Sequence, residues 1–162
     1  MRWILVDKLL ELDPGKSAVG VRCFSRAEIF FMDHFPGFPI VPGVLQVEMI
    51  AQVGGKCIRA ANPGILTVLS SVKSAKFRKS IEPGDQAIIK AHVVQVRAAY
   101  SVVAGHIEVN GVKVSEAEVM YGHLTLPKDK TPESITPTFV RLAEPSCTDN
   151  GRVFDLKTGD VR

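Results

Sequence analysis

Between Ser17 and Phe24 apolar side chains fall at every second position, Val19, Val21 and Cys23, the period of a strand with one buried face. The run from Trp3 to Asp13 predicts an earlier strand, closed by a turn at Asp13-Pro14-Gly15. The pattern then changes. From about Gly43 to Ala61 apolar residues, among them Val44, Met49, Ile50, Val53, Cys57 and Ile58, surround a helix on almost every side. Asn62-Pro63-Gly64 supplies its stop. At 1.5 Å per residue such a helix is about 28 Å long, and its apolar circumference marks it as a core element. Gly54-Gly55 would weaken an exposed helix but lets another backbone come close to a buried one. The polar exceptions are few: Glu48, Gln52 and Lys56 recur at i, i+4 and i+8 and share one stripe.

Three strand-like runs follow, about Leu66–Ile81, Gln86–Gly105, with a break near Ala98-Ala99 left open, and His106–Leu126. Glu82-Pro83-Gly84-Asp85 and Asn110-Gly111 are turn signals, the second a strong hairpin marker between alternating segments. One buried helix among successive antiparallel strands defines an α+β fold, an antiparallel β-sheet wrapped around a long central helix. Ahead of the helix lies an unusual stretch, His34-Phe35-Pro36-Gly37-Phe38-Pro39-Ile40-Val41-Pro42-Gly43. A proline at every third residue fixes φ and keeps the preceding residue out of the helical region, so the stretch is a stiff extended arch. Phe35, Phe38, Ile40 and Val41 are too apolar to leave in water, and a buried arch is expected.

Composition narrows the class. The 162 residues carry 20 Lys+Arg against 17 Asp+Glu, a formal charge of +3, with 46% hydrophobic and 23% charged residues. These are the proportions of an ordinary globular domain, and the charge is too small to imply nucleic acid. Cys23, Cys57 and Cys147 are odd in number and lack metal-ligand spacing, so reduced thiols in a reducing compartment are expected. The N-terminal apolar run is too short for a signal peptide and no stretch reaches the length of a membrane span, so a cytoplasmic protein without membrane insertion is expected. The whole surplus of positive charge lies in residues 1–126, and residues 127–162 are neutral and hold four of the ten prolines, Pro127, Pro132, Pro137 and Pro145. A body of 1–126 with an appendage of 127–162 is the expected organisation. In the appendage, Thr138–Leu142 reads as a short strand and Asp149-Asn150-Gly151 before Val153-Phe154 as the turn of a small hairpin.

Two residues stand out chemically. His34 opens the arch and Glu48 lies in the apolar helix. A carboxylate there is costly unless paired, and burial raises its pKa. A histidine and a carboxylic acid beside an apolar cavity can take a proton from carbon and give one to a departing oxygen. Gly43, near the helix N-terminus, offers a free N–H aligned with the helix dipole, and its missing side chain lets a substrate approach. By spacing alone, a histidine before Phe-Pro is usually a loop residue, and a single glutamate on a helix usually a solvated one.

The run from His34 to Gln52 resembles the signature of the (3R)-hydroxyacyl-(acyl-carrier-protein) dehydratases of bacterial type II fatty acid synthesis, H-F-P-G-x-P-x-x-P-G-V-L-x-x-E-x-x-A-Q, at every fixed position. Phe30-Phe31, Lys76-Phe77-Arg78-Lys79, Pro83-Gly84-Asp85-Gln86 and Glu116-Ala117-Glu118-Val119-Met120 extend the likeness over nearly all of 1–126. The resemblance implies the hot-dog fold. It implies His34 as the base for the α-proton, Glu48 as the acid for the 3-hydroxyl, Gly43 N–H as the donor to the thioester carbonyl and Gln52 as the residue that orients Glu48. It further implies a homodimer in which histidine and glutamate of different protomers face each other, with hexamers (trimers of dimers) as a further assembly. Acyl carrier protein is the implied partner, the substrate rides on its phosphopantetheine arm, and no metal or bound cofactor is called for. Glu48 stands where the isomerising sister family has Asp, which favours the dehydratase-only branch. Asp33 departs from the family's usual Gly; beside His34 its carboxylate would raise the imidazole pKa, and turned to solvent it would not. Lys73, Lys76, Arg78 and Lys79 form a basic strand, read either as a docking patch for the acidic carrier or as lysine protection of a sheet edge. Hydration or dehydration of coenzyme A or polyketide thioesters, and a non-catalytic thioester-binding module, are the competing functions.

Overall fold

The computed structural model describes residues 4–125 and two short strands near the C-terminus. The elements run β1 (Lys8–Asp13), β2 (Ser17–Cys23), a 3-10 turn (Ile29–Met32), α1 (Gly43–Ala61), β3 (Ile65–Phe77), β4 (Gln86–Val96), β5 (Tyr100–Val109) and β6 (Val112–Thr125). Strands β1 to β6 form one antiparallel sheet in the order β1-β2-β4-β5-β6-β3. Strands β7 (Ser146–Asp149) and β8 (Arg152–Asp155) pair as a separate hairpin, which is where the Asn-Gly turn places it. The strand expected at Thr138–Leu142 lies outside the described residues.

Helix α1 packs on the sheet and touches all six of its strands. Met49, Ile50, Val53 and Ile58 are fully buried and meet Ala87, Ile89, Val103, Ile107 and Val119 in one core. Burying each of these larger side chains contributes about 1.5–3 kcal/mol. The pair Gly54-Gly55 works differently from the expected backbone approach. A Cβ on Gly54 would lie 2.7 Å from Val103 Cγ1 and 2.9 Å from the Tyr121 hydroxyl, so it is side chains of β5 and β6 that fill the space. Tyr121 then donates its O–H to the Ala51 carbonyl at 2.7 Å and closes the helix onto β6.

Strand limits shift where tertiary packing overrides local pattern. The break at Gly105-His106 is absent: β5 runs through it, because Ile50 and the Lys90 carbonyl crowd the space a Cβ on Gly105 would take. The chain turns at 97–99, at the break left open near Ala98-Ala99, with Arg97 N–H donating to the Tyr100 carbonyl. β3 ends at Phe77, and Ile81 beyond it is fully buried as a core plug.

The arch is only partly buried. Val41 is 2% exposed and its N–H donates to the Ile81 carbonyl, but Phe35 and Phe38 are 50% and 57% exposed. Phe35 and Phe38 exchange backbone hydrogen bonds around Pro36-Gly37, with Gly37 at φ +80°, and this tight turn lifts both rings away from the core of the protomer. Cys57 packs in the core with its Sγ against the Asp13 carbonyl, and both Cys23 and Cys57 are free thiols.

Candidate active site

Helix α1 starts at Gly43 because Pro42, in an extended conformation, ends the arch immediately before it. Leu45 and Gln46 N–H donate back to the Pro42 carbonyl, and no backbone acceptor takes the Gly43 N–H among the described residues. That N–H therefore keeps its capacity for a ligand oxygen. The space above Gly43 is taken by the Phe77 ring, 2.9–3.1 Å from where a Cβ would sit, so the glycine makes room for an aromatic ring from β3.

One and a half turns on, Glu48 is half-buried, and Gln52 behind it is 7% exposed. The Leu5 N–H donates to Gln52 Oε1 at 3.0 Å, which turns the amide nitrogen toward Glu48, and Nε2 donates to Glu48 Oε1 at 3.0 Å. The amide orientation follows from the backbone donor, since Oε1 alone can accept it. The second Glu48 oxygen has no hydrogen-bond partner among the described residues.

His34 sits half-buried at the mouth of the arch, its ring stacked on Phe35 at 4.1 Å. Its Nδ1 lies 3.1 Å from the Ile40 carbonyl while its own carbonyl accepts the Ile40 N–H. A carbonyl can only accept, so Nδ1 carries the proton and the neutral ring keeps its lone pair on Nε2. Among the described residues no hydrogen bond or ion pair joins His34 to Glu48. Asp33 is exposed, caps the 3-10 turn through its N–H to Phe30, and makes no hydrogen bond to His34.

Glu48 and Gln52 open on a cleft of about 150 Å³ between α1, β3 and β6, walled by Ala51, Gly55, Leu66, Thr67, Leu69 and Tyr121 and reached by Lys56 and Arg59. His34 is not among its walls. Burial, with a smaller part from the Glu48 charge, pushes the Tyr121 hydroxyl well above the ordinary phenol range, so it stays a neutral donor. Lys56 is 9% exposed, and burial followed by the neighbouring Arg59 charge lowers its ammonium to about 8. The Leu5 amide, the Ile40 carbonyl and Tyr121 were not foreseen from the sequence. Nothing in a linear pattern marks a backbone group, and Tyr121 sits in an unremarkable alternating strand.

The basic strand is partly neutralised. Lys73 pairs with Glu118 at 3.0 Å and Arg78 with Glu116 at 2.8 Å, both glutamates on adjacent β6. Lys76 and Lys79 are exposed and make no ion pair among the described residues. β3 is an edge strand, and Val68, Val72 and Phe77 on it are 43–51% exposed.

A long helix cradled by a six-stranded antiparallel sheet in this strand order is the hot-dog fold. Solved structures agree. The ApeI:P dehydratase heterocomplex of Xenorhabdus doucetiae superposes with a TM-score of 0.57 over 70% of this chain and 96% of that one, at 17% identity. A Streptococcus mutans protein bound to acetyl CoA superposes with a TM-score of 0.60 over 75% of this chain and 90% of that one, at 16% identity. In sequence, residues 13–111 match the model of the ApeI-like family, described as ApeI dehydratase. The chain is 38% identical to the 3-hydroxyacyl-(acyl-carrier-protein) dehydratase FabZ of Geobacillus thermodenitrificans over 74% of its own length and 83% of that protein. It is 40% identical to that of Clostridium acetobutylicum, over 73% and 85%. The chain belongs to the 3-hydroxyacyl-(acyl-carrier-protein) dehydratase family of hot-dog enzymes.

Proposed function

We propose that the protein removes water from (3R)-3-hydroxyacyl thioesters on acyl carrier protein, giving trans-2-enoyl thioesters for fatty acid biosynthesis. The observation that carries this reading is the relay from Leu5 N–H through Gln52 to Glu48, which holds a carboxyl group on an apolar cleft with one oxygen left for a ligand. His34 Nε2 takes the C2 proton. Negative charge moves onto the thioester oxygen, where the Gly43 N–H and the start of α1 stabilise it. Glu48 protonates the 3-hydroxyl as the C3–O bond breaks, the C2=C3 bond forms and water leaves. His34 ends protonated and Glu48 ionised, and one proton transfer resets the pair. Elimination moves only protons and water, so no metal or redox cofactor enters the scheme.

We assign the working form as a homodimer in which the base of one copy meets the acid of the other, with a trimer of dimers as its further assembly. The support is the separation of His34 from the cleft of its own chain, and the exposed apolar surface on the arch and β3 edge. The acidic carrier would dock on Lys76 and Lys79 beside the half-exposed Lys73 and Arg78, in the cytoplasm, where such carriers work. No helix among the described residues is long and apolar enough to cross a membrane.

The test follows trans-2-enoyl product from a 3-hydroxyacyl carrier protein. Wild type turns over, and His34→Ala and Glu48→Ala each lose about 10²-fold or more, the size of a general acid or base contribution. Silence in the wild type, or full activity in both variants, refutes the reaction. If turnover on the carrier-bound substrate is no more salt-sensitive than on a small thioester, the docking assignment fails.

A further inference from the structure

The segment ahead of β1 and the turn ahead of the arch meet on one side chain outside the cleft. Arg22, near the end of β2, has a side chain only 17% exposed and forks its guanidinium between two acids. Its Nη1 donates to Asp7 Oδ1 at 2.5 Å and its Nη2 to Glu28 Oε1. We propose that Arg22 is a positioning residue for the elimination. Through Asp7 it fixes the backbone donor behind Glu48, and through Glu28 it fixes the turn that carries His34. The inference deepens the dehydratase reading and rests on it for the roles of Glu48 and His34.

The Asp7 arm runs to the acid. The Asp7 N–H donates to the Val21 carbonyl at 2.8 Å, and Oδ2 accepts the Cys23 N–H at 2.8 Å. Oδ1 takes the guanidinium, so the residue is fastened to β2 by backbone and side chain together. Two residues earlier the Leu5 N–H donates to Gln52 Oε1, and Gln52 donates to Glu48. Val6 between them is fully buried. A Cβ on Gly20 would lie 3.0 Å from Val6 Cγ1 and 2.7 Å from Val53 Cγ2, so this segment is pressed between β2 and α1. Two planar peptide units join Asp7 to Leu5, and a shift of one is carried to the other.

The Glu28 arm runs to the base. Glu28 stands immediately before the 3-10 turn, and its carbonyl accepts the Phe31 N–H at 3.1 Å. The Phe30 carbonyl then accepts the His34 N–H at 2.9 Å. The guanidinium carbon of Arg22 lies 5.8 Å from the centre of the Phe24 ring, and Phe24 packs edge-on against Phe30 and Phe31. The cation thus holds the turn both by its carboxylate and through its rings. Without it, two carboxylates within the span of one guanidinium repel, and the arms part.

The test reads backbone amide exchange residue by residue by NMR, beside turnover of a 3-hydroxyacyl carrier protein. In Arg22→Met, exchange at Leu5 and His34 should quicken about tenfold or more while the amides of the central strand β5 keep their protection. Arg22→Lys, which keeps a charge between the acids, should restore most of it. Asp7→Asn should loosen Leu5 and spare His34, and Glu28→Gln should do the opposite. In Arg22→Met kcat should fall about tenfold with KM within about twofold, the split expected when reacting groups are misplaced but substrate is still held. Unchanged exchange at Leu5 and His34 overturns the inference. Equal quickening at β5 also overturns it, because Arg22 then stabilises the fold as a whole. An unchanged kcat in an active enzyme overturns it too. If Arg22→Met does not fold, the nearly isosteric Asp7→Asn and Glu28→Gln decide on the same two amides. A wild type silent on the carrier-bound substrate, with the exchange pattern as expected, removes the dehydratase reading and supports the clamp. Turnover in the wild type with exchange at Leu5 and His34 unmoved in Arg22→Met does the reverse.

Discussion

Gln52 shows how much of the site rests on a single side chain. Its amide gives the oxygen to Leu5 and the nitrogen to Glu48, so the glutamate is aimed through a backbone group that lies forty-seven residues from Gln52 in sequence. Gln52→Leu strands the Leu5 N–H and releases Glu48. The expected cost is about 1–3 kcal/mol in denaturant unfolding, with kcat falling more than KM rises, because positioning of the acid matters in the transition state. Lys56 acts on stability in the other direction. Its folded pKa, about 8, lies below its ordinary 10.5, so the unfolded chain binds more protons between those values and stability rises with pH across that window. Below pH 8 the full penalty applies, of order 3 kcal/mol at about 1.4 kcal/mol per pK unit. Lys56→Met should therefore unfold at higher temperature than wild type at pH 7, with the gap closing as pH approaches 10.5; an unchanged gap across that range would show that the lysine bears no such penalty. Both residues were visible in the sequence as members of the i, i+4, i+8 stripe. The Leu5 amide that holds Gln52 was not, because a backbone group leaves no mark on periodicity.

Among the elements, α1 was legible almost to the residue. A helix apolar on nearly every side, begun after a proline and stopped by Asn-Pro-Gly, has few alternatives. The long strands were legible as strands but not in their limits, since the run ended at Gly105 continues to Val109, with Ile50 occupying the space beside that glycine. The arch was misjudged in one respect: Phe35 and Phe38 are exposed in the protomer, because apolarity shows that a residue should be covered and not by what. The Gly54 seat allows a direct test of helix–sheet packing. Gly54→Ala gains a little helix propensity but drives a methyl to within 2.7 Å of Val103 and 2.9 Å of the Tyr121 hydroxyl. Overpacking should prevail, with a net loss of about 1–3 kcal/mol measured by thermal or denaturant unfolding. A neutral or stabilising result would mean that β5 and β6 yield more easily than a packed core should.

On the scale of the whole molecule, His34 is not among the walls of the cleft on which Glu48 opens, and no hydrogen bond joins the two among the described residues. His34 places its Nδ1 on the Ile40 carbonyl within the arch, and Glu48 faces a cleft that the arch of the same chain does not line. Mixing His34→Ala with Glu48→Ala decides between the two arrangements. A site shared between copies regains one intact centre per mixed dimer, and a site within one chain regains none. Hot-dog membership was legible from the 34–52 signature, and the same resemblance implies a site shared between protomers; sequence spacing by itself cannot say whether two residues meet within a chain or between chains.

The edge strand β3, with Val68, Val72 and Phe77 about half-exposed, brings chemical kinetics into the picture. When a centre is assembled from two copies, the rate at high dilution is second order in protein, and specific activity falls with each dilution step until the pair has come apart. Substituting Val72 by a charged residue should move that fall to higher protein concentration while leaving the plateau rate of the assembled enzyme in place. The quantity that limits turnover in a dilute solution is then the association constant of an edge, not the basicity of a histidine.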